Sequence, residues 1–110
     1  MRQFQTSVLE RRERLADGFT TQPLECAWAS EAVFFLSIEA SQAPGTRLSA
    51  FVQISPDGIR WIDEGSGAEN LPVPGDSFLR VRHFGGWLRL RFAVSGPDPV
   101  TATIRLALKE

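Results

Sequence analysis

The side chains with the clearest capacity for chemistry are few, and they do not form a catalytic set. The chain has one histidine, His83, and one cysteine, Cys26. A histidine-rich metal site is therefore excluded, and nothing near the cysteine in the sequence indicates an activated thiol. Asp57 and Asp63 lie close in the sequence, but spacing alone does not identify a glycosidase-type pair of carboxylates. We predict no enzymatic activity, no cofactor and no metal site.

Arginine forms the strongest pattern among the charged residues. Four arginines take alternate positions in two segments, and leucine, valine and phenylalanine fill the positions between them. This alternation predicts two strands with an apolar inner face and a basic outer face. The four residues are Arg80, Arg82, Arg89 and Arg91.

The two arginine segments are separated by Gly85-Gly86, which is a signal for a two-residue hairpin turn. Such a turn would place Arg82 opposite Arg89 and Arg80 opposite Arg91. Like charges directly opposite each other are unfavourable in a sheet. We expect compensation from acidic neighbours such as Glu39 or Asp63, or from carboxylates or phosphates of a partner. The pattern predicts either an interaction face or a solvated, salt-bridged outer sheet.

Aromatic residues offer a second candidate surface. Trp28, Phe84 and Trp87 are a candidate platform for stacking sugar rings, bordered by a long loop from Gly65 to Asp76 that is rich in glycine and proline. Tyrosine, which glycan platforms also use, is absent. The loop has an alternative interpretation as a crossover between two sheets.

The elements that must position these residues are organised around the segment from Ala50 to Gly65. Apolar and polar residues alternate up to Ser55, and the chain resumes at Ile59 after Pro56-Asp57-Gly58. This predicts a β-hairpin, because Gly58 can adopt positive φ and the Asp57 side chain can bond the backbone beyond it. We place Trp61 on the return strand with its ring in the core.

Similar alternation and turn signals recur every 8 to 12 residues along the chain, which is typical of an all-β sandwich or barrel. We predict an antiparallel, jelly-roll-like β-sandwich of about eight strands without a major helix. Turns are expected at 42–45 and 96–99. The strands are expected at 5–14, 19–27, 31–41, 46–55, 59–64, 78–83, 87–95 and 100–108.

The N-terminal segment is the most ambiguous part of the chain. A polar strand over 5–14 that turns at Ala16-Asp17-Gly18 is favoured, but Ser7 and Glu10 also fit a helix capping box. We divide the chain into an N-terminal arm or edge strand, 1–18, and a sandwich domain, 19–110. The arm, rich in Arg and Glu, is either a docking element or an edge strand protected by charge.

Composition limits the partners. The chain has 110 residues and a formal charge of −1, so we expect one domain without general attraction to nucleic acid or an anionic membrane. The sequence contains neither a secretory leader pattern nor an apolar run long enough to span a membrane.

The hairpin turn carries a resemblance. Ser55, Asp57, Gly58 and Trp61 form the pattern S-x-D-G-x-x-W, which resembles a turn in small β-sandwich proteins of tailed bacteriophages and prophages. Further similarities extend from Glu31 to Leu108. They are the Gly-Thr turn within 41–46, the Trp-Leu-Arg-Leu-Arg motif at 87–91, and the closing turn and strand at 96–108.

The resemblance implies a non-enzymatic structural protein, such as a capsid decoration, head-tail or tail-associated subunit of a virion. It implies protein partners, either further copies in a homo-oligomer or capsid and tail proteins. The expected location is the virion, or the host cytoplasm before assembly. The arm at 1–18 has no counterpart in this pattern and would be a variable docking element. A glycan-binding sandwich that uses Trp28, Phe84, Trp87 and the loop at 65–76 remains the alternative.

Overall fold

The protein is a sandwich of two four-stranded antiparallel β-sheets. A computed structural model describes residues 3–41, 43 and 45–110, and these residues contain eight strands and no helix. The strands are β1 (Phe4–Leu15), β2 (Leu24–Glu25), β3 (Glu31–Ile38), β4 (Arg47–Ser55), β5 (Ile62–Leu71), β6 (Gly75–Arg82), β7 (Trp87–Ser95) and β8 (Val100–Lys109). The predicted all-β sandwich is confirmed.

The strand order is that of a jelly roll. The front sheet has the order β1-β8-β3-β6, and the back sheet has the order β2-β7-β4-β5. Strands therefore pair from the outside of the sequence inward: β1 with β8, β2 with β7, β3 with β6, and β4 with β5. The first four strands thus form an antiparallel ribbon with the last four. The chain reverses direction at the β4–β5 turn, and the ribbon folds over to form the two sheets. Pairing of β3 with β8 and of β4 with β7 completes the two sheets.

The core lies between the sheets and is built from alternate residues of each strand. β3, β7 and β8 show strict alternation of buried and less buried residues over most of their lengths. The largest buried side chains include Phe34 from the front sheet and Phe92 from the back sheet. The inward positions predicted for these strands are confirmed. Successive side chains of a strand point to opposite faces, so the pattern of apolar residues identifies the buried face.

The prediction of a long loop from Gly65 to Asp76 is wrong. Strand β5 continues to Leu71, and β6 begins at Gly75, so only 72–74 connect them. The chain does cross between the sheets there. The sequence hides the strand because β5 is an edge strand with two register shifts against β4, so its side chains do not alternate regularly.

The prediction of a hairpin at Gly85-Gly86 is also wrong. β6 belongs to the front sheet and β7 to the back sheet, so the glycines lie in a crossover. The Gly86 carbonyl accepts a hydrogen bond of 2.7 Å from the Cys26 amide, which runs beside it in the β2–β3 connection. This hydrogen bond links the two crossovers.

The N-terminal segment forms a strand, not a helix. β1 lies at the edge of the front sheet and pairs with β8 along its length, with two register shifts. The turn at Asp17-Gly18 then directs the chain to the back sheet. The strand predicted at 19–27 is reduced to an isolated bridge at Thr20 and the two residues of β2. The turn predicted at 42–45 includes Gln42 and Pro44, which lie outside the described residues.

Candidate interaction surface on the front sheet

The four arginines predicted to form one face are divided between the two sheets. Arg80 and Arg82 lie on β6 in the front sheet, and Arg89 and Arg91 lie on β7 in the back sheet. The predicted Arg–Arg pairs are wrong because β6 and β7 do not pair. The actual cross-strand neighbours are Val33 for Arg80, Glu31 for Arg82, Gln53 for Arg89 and Phe51 for Arg91. The sheet therefore places no like charges directly opposite each other at these positions.

The two arginines of the back sheet are held by a network within the chain. Gln53, which is only 9% exposed, accepts a bond of 2.8 Å from Arg89 Nε and donates one of 3.0 Å to Asp63 Oδ1. Arg91 donates a bond of 3.3 Å to Asp63 Oδ2. These contacts, with Gln53 foremost and Arg91 second, hold the pKa of Asp63 below its ordinary value. Asp63 thus provides the predicted acidic compensation, for Arg91.

Aromatic rings complete the back network. The Arg89 guanidinium lies 4.2 Å from the centre of the Trp61 ring, and the Arg91 guanidinium lies 4.7 Å from that of Phe51. Trp61 is half-buried and covers Arg89, so its predicted place in the core is wrong. Burial beneath this cover lowers the pKa of Arg89. The back arginines have their hydrogen bonds and stacking partners inside the chain and leave little for an external ligand.

Glu39, the other acid expected to compensate the four arginines, lies elsewhere. Arg12 donates bonds of 2.9 and 3.0 Å to its two carboxylate oxygens. This pairing lowers the pKa of Glu39. Both side chains are well exposed, so the pair contributes little to stability.

The front sheet presents large apolar side chains to solvent. Phe35 on β3 lies directly opposite Phe78 on β6, and the two are 45% and 53% exposed. On the other side of Phe35 comes Arg105 of β8, and then Val8 of β1. One row thus crosses all four strands. We call Val8, Phe35, Phe78, Arg80 and Arg105 the front patch.

Arginine borders the exposed phenylalanines. The Arg80 guanidinium lies 5.1 Å from the centre of the Phe78 ring. Arg82 reaches Glu31 at 3.5 Å, but its side chain is 71% exposed. The centres of protein interfaces are enriched in aromatic residues and arginine. The front patch has this composition, whereas the back sheet uses its aromatics to cover its own arginines.

The front patch was only partly predicted. The sequence pattern predicts Arg80 and Arg82 on an outer face, but Phe35 and Phe78 are not among the residues predicted to form a surface. The signal was present in the sequence, because both phenylalanines occupy the outward positions of alternating strands. A large apolar residue in the outward position of a strand is the feature that identifies such a surface.

The predicted glycan platform is not an open array of rings. Trp28 and Phe84 are half-buried and pack against the core. Trp87 is also half-buried, and its ring lies close to Gly58 of the β4–β5 turn. The loop expected to border the platform is strand β5.

The β4–β5 turn has the predicted contacts at Asp57 and Gly58, but the return strand predicted to start at Ile59 begins only at Ile62, so Trp61 lies in the connection before it. Asp57 Oδ1 accepts hydrogen bonds from the amides of Ile59 and Arg60 at 2.9 and 3.0 Å. Ser55 Oγ accepts one of 2.8 Å from the Gly58 amide, and Gly58 has φ of 79°. The backbone amides of Arg60 and Ile59 lower the pKa of Asp57. These turn contacts account for the position of the carboxylate.

Neither of the remaining chemical candidates forms a site. Cys26 is fully buried, and desolvation, assisted by Glu25, raises the pKa of its thiol to about 12. His83 is exposed at the end of β6, with φ of 55°. Over residues 3–41, 43 and 45–110, no three His, Cys, Asp or Glu side chains are arranged to hold a metal ion. Within the same ranges, no helix has the length and apolar character needed to cross a membrane.

Because the comparison with known proteins found no match, the proposed function is argued from the surface of the protein. No protein-family model matches the chain, and no curated protein matches it.

Proposed function

We propose that the protein is a non-enzymatic structural subunit that assembles through contacts of its front sheet with other protein subunits. The observation that carries this proposal is the cross-strand pair Phe35–Phe78. Both rings are exposed on the outer face of the front sheet, and Arg80 lies beside Phe78. Complete burial of a fully exposed phenylalanine contributes roughly 1.5–3 kcal/mol. Since Phe35 and Phe78 are already about half covered, burying the remainder of each ring contributes about half of that value. A partner that covers both rings therefore gains a substantial apolar contact, while arginine supplies polar contacts at the rim.

The contrast between the two sheets supports the front sheet as the docking side. Both sheets carry arginines and aromatics on their outer faces, but Arg89 and Arg91 are engaged by Gln53, Asp63 and aromatic rings. The Arg80 guanidinium lies over the Phe78 ring but has no side-chain hydrogen bond or ion pair among the described residues, so its donors are available to a partner.

The class of assembly we propose is a phage-type virion accessory, such as a capsid decoration, head-tail or tail-associated subunit. Its support is the resemblance of the turn at 55–61 to that of phage β-sandwich proteins, together with the jelly roll, an architecture used by viral capsid domains. The same architecture serves lectins, but the half-burial of Trp28, Phe84 and Trp87 gives no specific support to a glycan site.

The test is the solution mass of the purified protein, measured by light scattering over a concentration series. We expect masses that rise above the 12.2 kDa of one chain. Phe35→Thr should shift the mass towards the monomer, because it removes one ring of the exposed pair while keeping a residue that favours strands.

The matched control is Ile59→Thr, which removes an apolar side chain that is 80% exposed at the β4–β5 turn, away from the front patch. It should leave the mass unchanged. A monomer at every concentration, or equal effects of the two substitutions, would contradict self-assembly through the front sheet.

A further inference from the structure

The outer edge of β6 differs from the other sheet edges. Each of the eight residues of β6 pairs with one residue of β3 without a register shift. Its other side has no strand partner among the described residues. By contrast, β1 and β5 each contain two register shifts, and β2 has only two residues. Bulges and short length protect an edge against pairing with another chain, so β6 is the edge best shaped to accept a further strand.

The outward side chains of β6 are complementary to themselves. Asp76, Phe78, Arg80 and Arg82 are all exposed and share one face of the strand. An antiparallel partner strand reverses the order of side chains. When the two-fold axis passes through Leu79, Asp76 lies opposite Arg82 of the second copy, and Phe78 lies opposite Arg80 of the second copy. Two ion pairs and two cation–π contacts result, since each combination occurs twice.

Neighbouring registers are less favourable. Directly opposite residues in antiparallel strands project to the same face of the sheet. Alternative registers therefore shift the partner strand by two residues at a time, so that outward side chains still lie opposite outward side chains. Moving the axis to Arg80 places that arginine against its own copy. Moving the axis to Phe78 pairs Asp76 with Arg80 but places Arg82 opposite Pro74, so that Arg82 gains no acidic partner beyond Glu31 of its own chain. Of these three registers, the one with its axis at Leu79 places each of the outward residues Asp76, Phe78, Arg80 and Arg82 opposite a complementary residue of the second copy.

We propose that two copies of this chain pair through their β6 edges, antiparallel and centred on Leu79. This inference rests on the proposed assembly function. It names a second copy of the chain as a partner and adds a contact at the β6 edge to the one proposed through the outer face that carries Phe35. The two front sheets become one continuous eight-stranded sheet, and the two front patches lie on the same face of it. A contact of one strand is smaller than a standard interface, so we expect a dissociation constant in the micromolar range, on the order of 1–100 μM.

Charge reversal tests the register. Asp76→Lys sets a lysine opposite Arg82 of the second copy, and Arg82→Glu sets a glutamate opposite Asp76 of the second copy. Each variant alone should weaken dimerisation roughly ten- to hundredfold, because two attractive pairs become two repulsive ones. In a mixture of the two variants, a heterodimer contains no repulsive pair. One cross-strand pair joins the new lysine of the first variant with the new glutamate of the second. The other pair joins the native Arg82 of the first variant with the native Asp76 of the second. The heterodimer should therefore form with an affinity within about threefold of the wild-type dimer.

The matched control is Arg47→Glu, a charge reversal at an exposed arginine on β4, which lies in the interior of the back sheet and away from the front patch. It should change the dimer affinity less than either β6 variant. Hydrogen exchange gives an independent measure. The alternate amides of 75–82 that point away from β3 should exchange more slowly at high protein concentration, because the free edge becomes hydrogen-bonded.

The outcomes distinguish the two proposals. If the wild-type protein is monomeric at millimolar concentration, both assembly and β6 pairing are wrong. If it assembles but the mixed variants do not recover affinity, or the exchange of 75–82 is independent of concentration, β6 pairing is wrong while assembly through the front sheet stands. Recovery together with slowed exchange establishes the pairing.

Discussion

Replacing Gly58 with alanine should destabilise the protein more than the same replacement at Gly18. Both glycines have positive φ, 79° and 86°. A β-carbon at Gly58 would lie 3.2 to 3.5 Å from three carbons of the Trp87 ring, whereas one at Gly18 would have no neighbour within 4 Å. The two substitutions therefore share the backbone strain and differ in the contact with Trp87.

The magnitudes follow from these two contributions. An L-residue in the left-handed region costs roughly 1–2 kcal/mol, and loss of glycine freedom in the unfolded chain returns about 0.4–1 kcal/mol. Gly18→Ala should thus cost about 1 kcal/mol. At Gly58 the tryptophan must also shift, and an off-rotamer side chain adds roughly 0.5–1.5 kcal/mol. We expect about 2 kcal/mol for Gly58→Ala.

Thermal unfolding followed by circular dichroism measures the difference. For a domain of this size, 1 kcal/mol corresponds to a change in Tm of roughly 4 °C, so Gly58→Ala should melt about 4 °C below Gly18→Ala. In a Trp87→Ala background, the excess cost at Gly58 should disappear. Equal Tm values for the two glycine variants, or an excess that persists without Trp87, would refute the role assigned to the Gly58–Trp87 contact.

Two further predictions concern titratable groups. Cys26 is fully buried, with its thiol pKa raised to about 12, so an aromatic disulfide reagent at pH 8 should label it only after unfolding; rapid labelling of the native protein would contradict its burial. The pKa of Asp63 is held below its ordinary value by Gln53 and Arg91. Its contribution to stability is therefore complete above the unfolded pKa, about 4, and is lost as the pH falls through the folded value. In urea unfolding at stepped pH, Asp63→Asn should flatten the loss of stability below about pH 4; an unchanged slope would show that the carboxylate does not contribute.

Local physical chemistry determined much of the fold. Ser55, Asp57 and Gly58 specify the β4–β5 turn, because the side-chain bonds and the positive φ that it needs involve residues within a few positions of one another. The alternation in β7 and β8 likewise identified the inward side chains, since the two faces of a strand follow directly from its geometry. These features do not depend on which strand lies beside which.

Only the tertiary structure decided which strands pair. Gly85-Gly86 has the composition of a hairpin turn, yet the chain crosses there to the other sheet, because β6 pairs with β3 while β7 pairs with β2 and β4. β5 is a strand because the backbone of β4 pairs with it, although its own side chains show little alternation.

The same long-range pairing created the candidate surface. It separated Arg80 and Arg82 from Arg89 and Arg91, and it brought Phe35 beside Phe78. The sequence by itself determined which side chains face outward. Which outward side chains become neighbours depends on hydrogen bonding between distant strands, and no local residue pattern encodes that register.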